Sequence, residues 1–186
     1  MLNPDYLAWK KQGGTTGGAA ATPWQSPIDR MTVAIYVEQG SDLVAMDRNM
    51  FGKRISSDPY VRVILLCTPP HTISGQTQKK EKIELGRTST VKKNLSPTWG
   101  YSVKSDIPYS RKNETPRLVF EIFDEDKLSK DDSMGVITLP ALEWKDSSTS
   151  TAWYEIPKGS AKNVSGKVQI KIKTKVHRVE GLKSYF

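Results

Sequence analysis

The ten residues "KVQIKIKTKV" at 167–176 constrain the fold more than any other stretch of the chain. Val168, Ile170, Ile172, Thr174 and Val176 point one way along an extended strand, and Lys167, Gln169, Lys171, Lys173 and Lys175 point the other. Successive side chains of a strand face opposite sides, so this alternation demands a sheet with one buried and one wet face. The same period runs through 32–37, 60–66, 87–93, 100–104, 117–123, 134–139 and 152–156. The segments between are rich in Pro, Gly, Asp, Ser and Lys, as turns require. About eight short strands without a long helical stretch predict an all-β antiparallel sandwich.

The period begins at Met31. Residues 1–30 contain "QGGTTGGAAAT", which reads as a flexible N-terminal segment. The folded domain is expected over 31–178, with 179–186 as a tail. No apolar run approaches the ~20 residues that span a bilayer, and the N-terminus lacks the basic-then-apolar order of a secretory signal. Cys67 is the one cysteine, so no internal disulfide forms and a reducing, cytoplasmic setting is expected, with Cys67 as a buried thiol. His71 and His177, the two histidines, have no Cys or Asp at metal-ligand spacing. The net charge of +8 points to an anionic partner. Nucleic acid is not expected, since neither a major-groove helix nor a base-stacking platform is evident.

Against that basic background, "FDEDKLSKDDSMG" (123–135) crowds Asp124, Glu125, Asp126, Asp131 and Asp132 into nine residues. Two carboxylates about 4 Å apart repel by roughly 4 kcal/mol at an effective dielectric near 20. An EF-hand fails here: Gly135 stands where the twelfth-position Glu belongs, and strands flank the loop. A catalytic carboxylate pair and a solvated acidic loop both stay open on spacing alone. A second acidic site lies upstream in "AMDRNMFGKRISSDPYVRV" (45–63), where Asp47 and Asp58 bracket a loop that leads into a strand.

Taken together with "NLSPTW" (94–99), these stretches resemble, in order and spacing, the C2 domain, a calcium- and phospholipid-binding sandwich. The resemblance runs from about Met31 to Val176. It implies an eight-stranded antiparallel Greek-key β-sandwich, in the second of the family's two circular permutations because "KVQIKIKTKV" closes the chain. It also implies Ca²⁺ as cofactor, held by Asp47 and Asp58 from one loop and Asp124, Asp126 and Asp132 from another, with Ser129 as accessory ligand. A hard cation wanting six to eight oxygens suits such a set, since its charge turns carboxylate repulsion into coordination. Asp131 and Glu125 are expected to face water.

Two departures from the family pattern matter. Ten residues separate Asp47 from Asp58, where the family commonly has five, which puts Asp47's placement in question. The insertion carries Met50 and Phe51 beside Arg48, Lys53 and Arg54; these apolar residues either enter lipid or fold back over the end of the sandwich. On the third loop, Leu128 lies between Lys127 and Lys130. The family's phosphoinositide-headgroup positions correspond to Tyr60, Arg87, Ser89, Phe123 and Asp131, of which only Tyr60 is the family residue. Lys92 and Lys93 add basic charge nearby. Trp99 and Trp153 fall at family core positions. The resemblance implies a non-enzymatic, monomeric, calcium-dependent module for anionic phospholipid membranes, phosphatidylserine above all and phosphoinositides in second place. The alternative is a calcium-independent lipid or protein interaction module that uses its basic faces.

Overall fold

The computed structural model describes residues 27–48, 50–69, 80–127 and 129–179. Among these residues ten strands form, β1 (Ile28–Ser41), β2 (Asp47–Arg48), β3 (Arg54–Ser56), β4 (Pro59–Cys67), β5 (Glu81–Arg87), β6 (Thr98–Pro108), β7 (Arg117–Asp124), β8 (Asp132–Ala141), β9 (Ser147–Glu155) and β10 (Lys167–Arg178). Eight of them make two four-stranded sheets, ordered β6-β1-β10-β9 and β5-β4-β7-β8, while β2 and β3 pair as a separate ribbon. All pairings are antiparallel. The closing strand β10 is a central one, flanked by β1 and β9. The fold is thus the expected β-sandwich.

The period-two alternation of β10 becomes its burial. Val168, Ile170, Ile172, Thr174 and Val176 lie inside, and the intervening lysines point outward. β4 reads differently: "PYVRVILLC" is apolar nearly throughout and buried at seven of its nine positions. It is central in its sheet, between β5 and β7. Between the sheets lie Val33, Ile35, Val61, Val63, Leu118, Phe120, Ile122 and Met134, most of them with no exposed surface. Cys67 is buried at the end of β4, and burial raises its thiol pKa, which suits a structural role.

Two strand expectations shift. The fifth strand is Glu81–Arg87 rather than 87–93. Its Ile83 and Leu85 are only half-buried, so flanking Lys and Glu hide the period, and those charges also blunt an exposed sheet edge. Residues 88–93 still follow β4, but through a hydroxyl: Thr88 is buried, its N–H donates to Val61 O at 2.9 Å, and its Oγ1 accepts from Val61 N at 3.0 Å. The last-but-one strand is longer than 152–156, extending back through the Ser/Thr run to Ser147. Trp99 is packed as expected and donates to Pro59 O at 3.2 Å. Trp153 is not: it lies on the outer face of edge strand β9 and is 40% exposed.

One glycine ties the fold to its loop end. Gly135 in β8 has φ +126°, and a Cβ there would collide with Ile156 Cγ2 and stand 2.9 Å from Ser160 Oγ. Ser160 Oγ also accepts from Val136 N at 3.2 Å, so the 156–166 loop lies against β8 because residue 135 has no side chain. Gly135→Ala is expected to cost about 2 kcal/mol or more, through strain and overpacking together. Urea denaturation of the two proteins checks this: an unchanged midpoint would mean that the loop yields freely.

Candidate functional site

Strand register assembles the acidic residues. Asp124 ends β7; it pairs with Pro59 of β4 on one side and with Asp132 of β8 on the other. Asp58, immediately before Pro59, donates its N–H to Asp124 Oδ1 at 2.5 Å, and its carbonyl accepts from Glu125 N at 3.0 Å. Asp58 at the root of β4, Asp124 at the end of β7 and Asp132 at the start of β8 therefore stand side by side at one end of the sandwich. Like charges on adjacent strands destabilise a sheet, so an arrangement of this kind carries a standing cost.

The insertion in the first loop does not carry Asp47 away. Residues 47–56 fold into their own hairpin, with Asp47 paired to Ser56 and Arg48 to Arg54. Ser56 Oγ donates to Asp47 Oδ2 at 2.8 Å. Below it, buried Ser57 accepts from Met46 N at 2.8 Å and donates to Val44 O at 2.9 Å, which fixes the hairpin's root. The extra residues project outward: Met50 is 91% and Phe51 86% exposed. Of the two arrangements expected for them, folding back over the sandwich end does not hold.

The electrostatics centre on Asp124, which is buried. Burial raises its pKa from 3.8 to about 6, opposed by the hydrogen bonds from Asp58 N and Ser57, and reinforced by the charges of Asp47 and Asp126. Asp47 and Asp126 are thus close enough to act on it. Asp58 Oδ1 accepts from Lys93 N at 2.8 Å, and Lys92 Nζ lies 3.8 Å from Asp58 Oδ2. Lys92 and Lys93 accordingly stand beside the acidic end. Asp132, Ser129, Lys127 and Lys130 are exposed; Leu128 lies outside the described residues. Among the described residues, no three His, Cys, Asp or Glu side chains are close enough together to hold an ion as they stand.

Two acidic residues expected to face water are engaged instead. Asp131 accepts from Tyr60 Oη at 2.6 Å and from Asp126 N at 3.1 Å, which lowers its pKa. Glu125 accepts from Thr90 Oγ1 at 2.9 Å and Arg87 at 3.0 Å, and its pKa is lowered for the same reason. Tyr60, one of the headgroup positions, is buried: its ring stacks on Phe123 at 5.5 Å and lies 3.9 Å beneath the Arg87 guanidinium. Burial and the bond to Asp131 push its hydroxyl up to about 12. Arg87 thus stands between the Tyr60 ring and solvent. The sequence also hid a further loop at this end, 156–166. Residues 156–166 bring Ser160 and Lys162 beside Met46 and Asp132 around a cleft of about 400 Å³; with a non-periodic sequence and no acidic residue, nothing marked that loop.

A family model described as the C2 domain matches residues 31–156. Synaptotagmin-7 of Homo sapiens is 36% identical over 114 residues, 61% of this chain and 23% of that protein. The E3 ubiquitin-protein ligase Nedd-4 of Drosophila melanogaster is 35% identical over 111 residues, 60% of this chain and 9% of that protein. The chain thus matches less than a quarter of the length of either relative. Among solved structures, a C2 domain of a plant extended synaptotagmin 1 superposes with a TM-score of 0.55 at 21% identity, covering 84% of this chain and all of that one. A calcium-bound pair of C2 domains from extended synaptotagmin 2 gives 0.56 at 21% identity, covering 80% of this chain and 46% of that one. At such identity these two likenesses speak for the fold.

Proposed function

The chain belongs to the C2 domain family, and on that premise we propose that it is a non-enzymatic module that binds anionic phospholipid membranes when calcium is present. One observation carries the reading: Asp47, Asp58, Asp124, Asp126 and Asp132 gather at one end, around a carboxyl whose pKa is raised chiefly by burial and further by the charges of Asp47 and Asp126. The chemistry of the set fits a hard dication, since all the side-chain donors are oxygens from short carboxylates. Asp47, Asp58, Asp124, Asp126 and Asp132 would hold calcium, with Ser129 accessory. The bound ion would supply positive charge that offsets the carboxylates and faces anionic headgroups. Asp58 would hold the ion while its other flank faces Lys92, whose Nζ lies 3.8 Å from Asp58 Oδ2. Such lipid binding would make its localisation peripheral to membranes; no helix among the described residues is long and apolar enough to cross one.

Cosedimentation with phosphatidylserine-rich vesicles, in calcium and in chelator, tests this. Binding is expected to rise sharply with calcium and to fall as salt increases, because each Lys or Arg near such a surface contributes about 1 kcal/mol that ions screen. Equal binding to neutral and anionic vesicles in calcium would refute it. A second reading, a calcium-independent interaction module, draws on the Lys92–Asp58 pair, which already offsets part of the acidic charge. Equal vesicle binding in calcium and in chelator would favour it, as would the absence of heat on calcium titration.

A further inference from the structure

We propose that the outer face of the β6-β1-β10-β9 sheet is a second membrane-contact surface, one that docks flat on anionic lipid without calcium. It is distinct from the acidic end and lies on the other sheet from Tyr60 and Arg87.

The two sheets treat their outward cations differently. On β5-β4-β7-β8, Arg62 pairs with Glu84 at 2.6 Å and Glu121 at 3.8 Å, Lys82 with Glu121 at 3.2 Å, and Arg87 with Glu125 at 3.0 Å. That face neutralises itself. On the opposite sheet, Lys167, Lys171, Lys173 and Lys175 project from β10 and Lys104 from β6. Among the described residues none of these five has a carboxylate within ion-pair distance. Asp106 on the same face is already engaged by Thr32 Oγ1 at 2.5 Å and Arg30 at 3.5 Å, and Asp146 by Arg178 at 2.7 Å. Glu155 stands opposite Lys167 in the register without pairing.

Register makes this a two-dimensional array. Ala34 is the partner of both Lys104 and Lys173, so the two lysines share one rung across β6, β1 and β10. Along β10, eight residues of rise spread the charges over about 27 Å, and the two strand spacings to Lys104 add about 10 Å of width. Lysine is a point charge on a flexible stem, without the fixed fork with which arginine selects a single carboxylate or phosphate. Such an array suits many laterally mobile headgroups better than one acidic peptide, which would follow a single row.

The aromatic residues agree. Lys171 and Lys173 lie 5.3 and 5.7 Å from the Tyr36 ring centre, and Lys167 lies 5.4 Å from that of exposed Trp153. Trp and Tyr flanked by lysine suit the headgroup level of a bilayer, where one end of the ring is wet. Apart from Glu155, the rest of β9's outer face is Ser and Thr, without the packed apolar centre that a stable protein interface requires.

The test is a triple variant of the full chain, Lys104→Gln/Lys173→Gln/Lys175→Gln, cosedimented in chelator with phosphatidylserine-rich or pure phosphatidylcholine vesicles. Wild-type protein is expected to bind the anionic vesicles only. The variant should lose more than tenfold, since about 1 kcal/mol per lysine is roughly fivefold each. Lys82→Gln, which removes a paired cation from the other sheet, should leave binding unchanged. An unchanged melting temperature shows that the triple variant is folded. Undiminished chelator binding by the triple variant would overturn the proposal, as would wild-type protein that binds soluble poly-glutamate but not vesicles. Calcium-stimulated binding rests on the other site, so its loss with Asp124→Asn leaves the chelator result standing.

Discussion

In chelator at neutral pH, Asp124→Asn is expected to melt several degrees above the wild-type protein, and in calcium the order is expected to reverse. The first half follows from burial. The native carboxyl has a pKa of about 6 against 3.8 ordinarily, so between those values the folded protein keeps a proton that the unfolded chain has released. Stability from this group is therefore full below pH ~4 and is lost as pH rises through about 6. At neutral pH the native state carries an ionised, buried carboxylate beside Asp47 and Asp126, at a cost of about 3 kcal/mol. Asparagine has nearly the same shape, can still accept from Asp58 N, and does not ionise. The difference between the two proteins should accordingly vanish near pH 4. The second half follows from linkage: calcium that binds only the native wild type adds about 2.7 kcal/mol at a hundred times its Kd, and the variant forgoes this. Thermal melts across pH, with calcium and with chelator, measure both. A variant less stable than wild type in chelator, or one that calcium still stabilises, would remove Asp124 from the centre of the site.

What the sequence disclosed depended on whether side-chain chemistry or chain geometry decided the matter. β10 and β4 were legible because burial selects apolar residues, in alternation on one and nearly without break on the other. β5 was missed because Ile83 and Leu85 sit on an edge, where the sheet demands little burial and tolerates charge. Trp153 was placed inside by family position, yet β9 is an edge strand, and its outer face leaves the indole to solvent. At the acidic end the aspartates were legible as a group, since such crowding stands out in a basic chain and the two acidic stretches fall in the family's order. Their partners were not. Asp131 and Asp132 are neighbours of identical chemistry, and only strand register decides that Asp132 faces Asp124 while Asp131 accepts from Tyr60. The insertion before Asp58 left Asp47 undecided for a similar reason, because hairpin pairing across ten residues is a long-range fact.

That same hairpin sets up the remaining large effect. Met50→Ala/Phe51→Ala is expected to weaken calcium-dependent binding to phosphatidylserine vesicles roughly tenfold or more, with melting temperature and calcium affinity in solution nearly unchanged. Fully burying a Met or Phe side chain is worth about 1.5–3 kcal/mol, so half-insertion of the pair into the acyl boundary already reaches that loss. Both residues are more than four-fifths exposed, at a turn held by a two-stranded ribbon. The root of that ribbon is fixed elsewhere, by Ser57 and by the Asp47–Ser56 pair, and the double variant touches neither. On the proposed function the carboxylates beneath the tip would repel an anionic surface until a dication offset them, so the loss should appear in calcium and not in chelator. Vesicle cosedimentation beside a melting curve separates the outcomes. A drop of several degrees with binding reduced in proportion would mean that the tip supports the sandwich, and full binding by the double variant would leave insertion without a role.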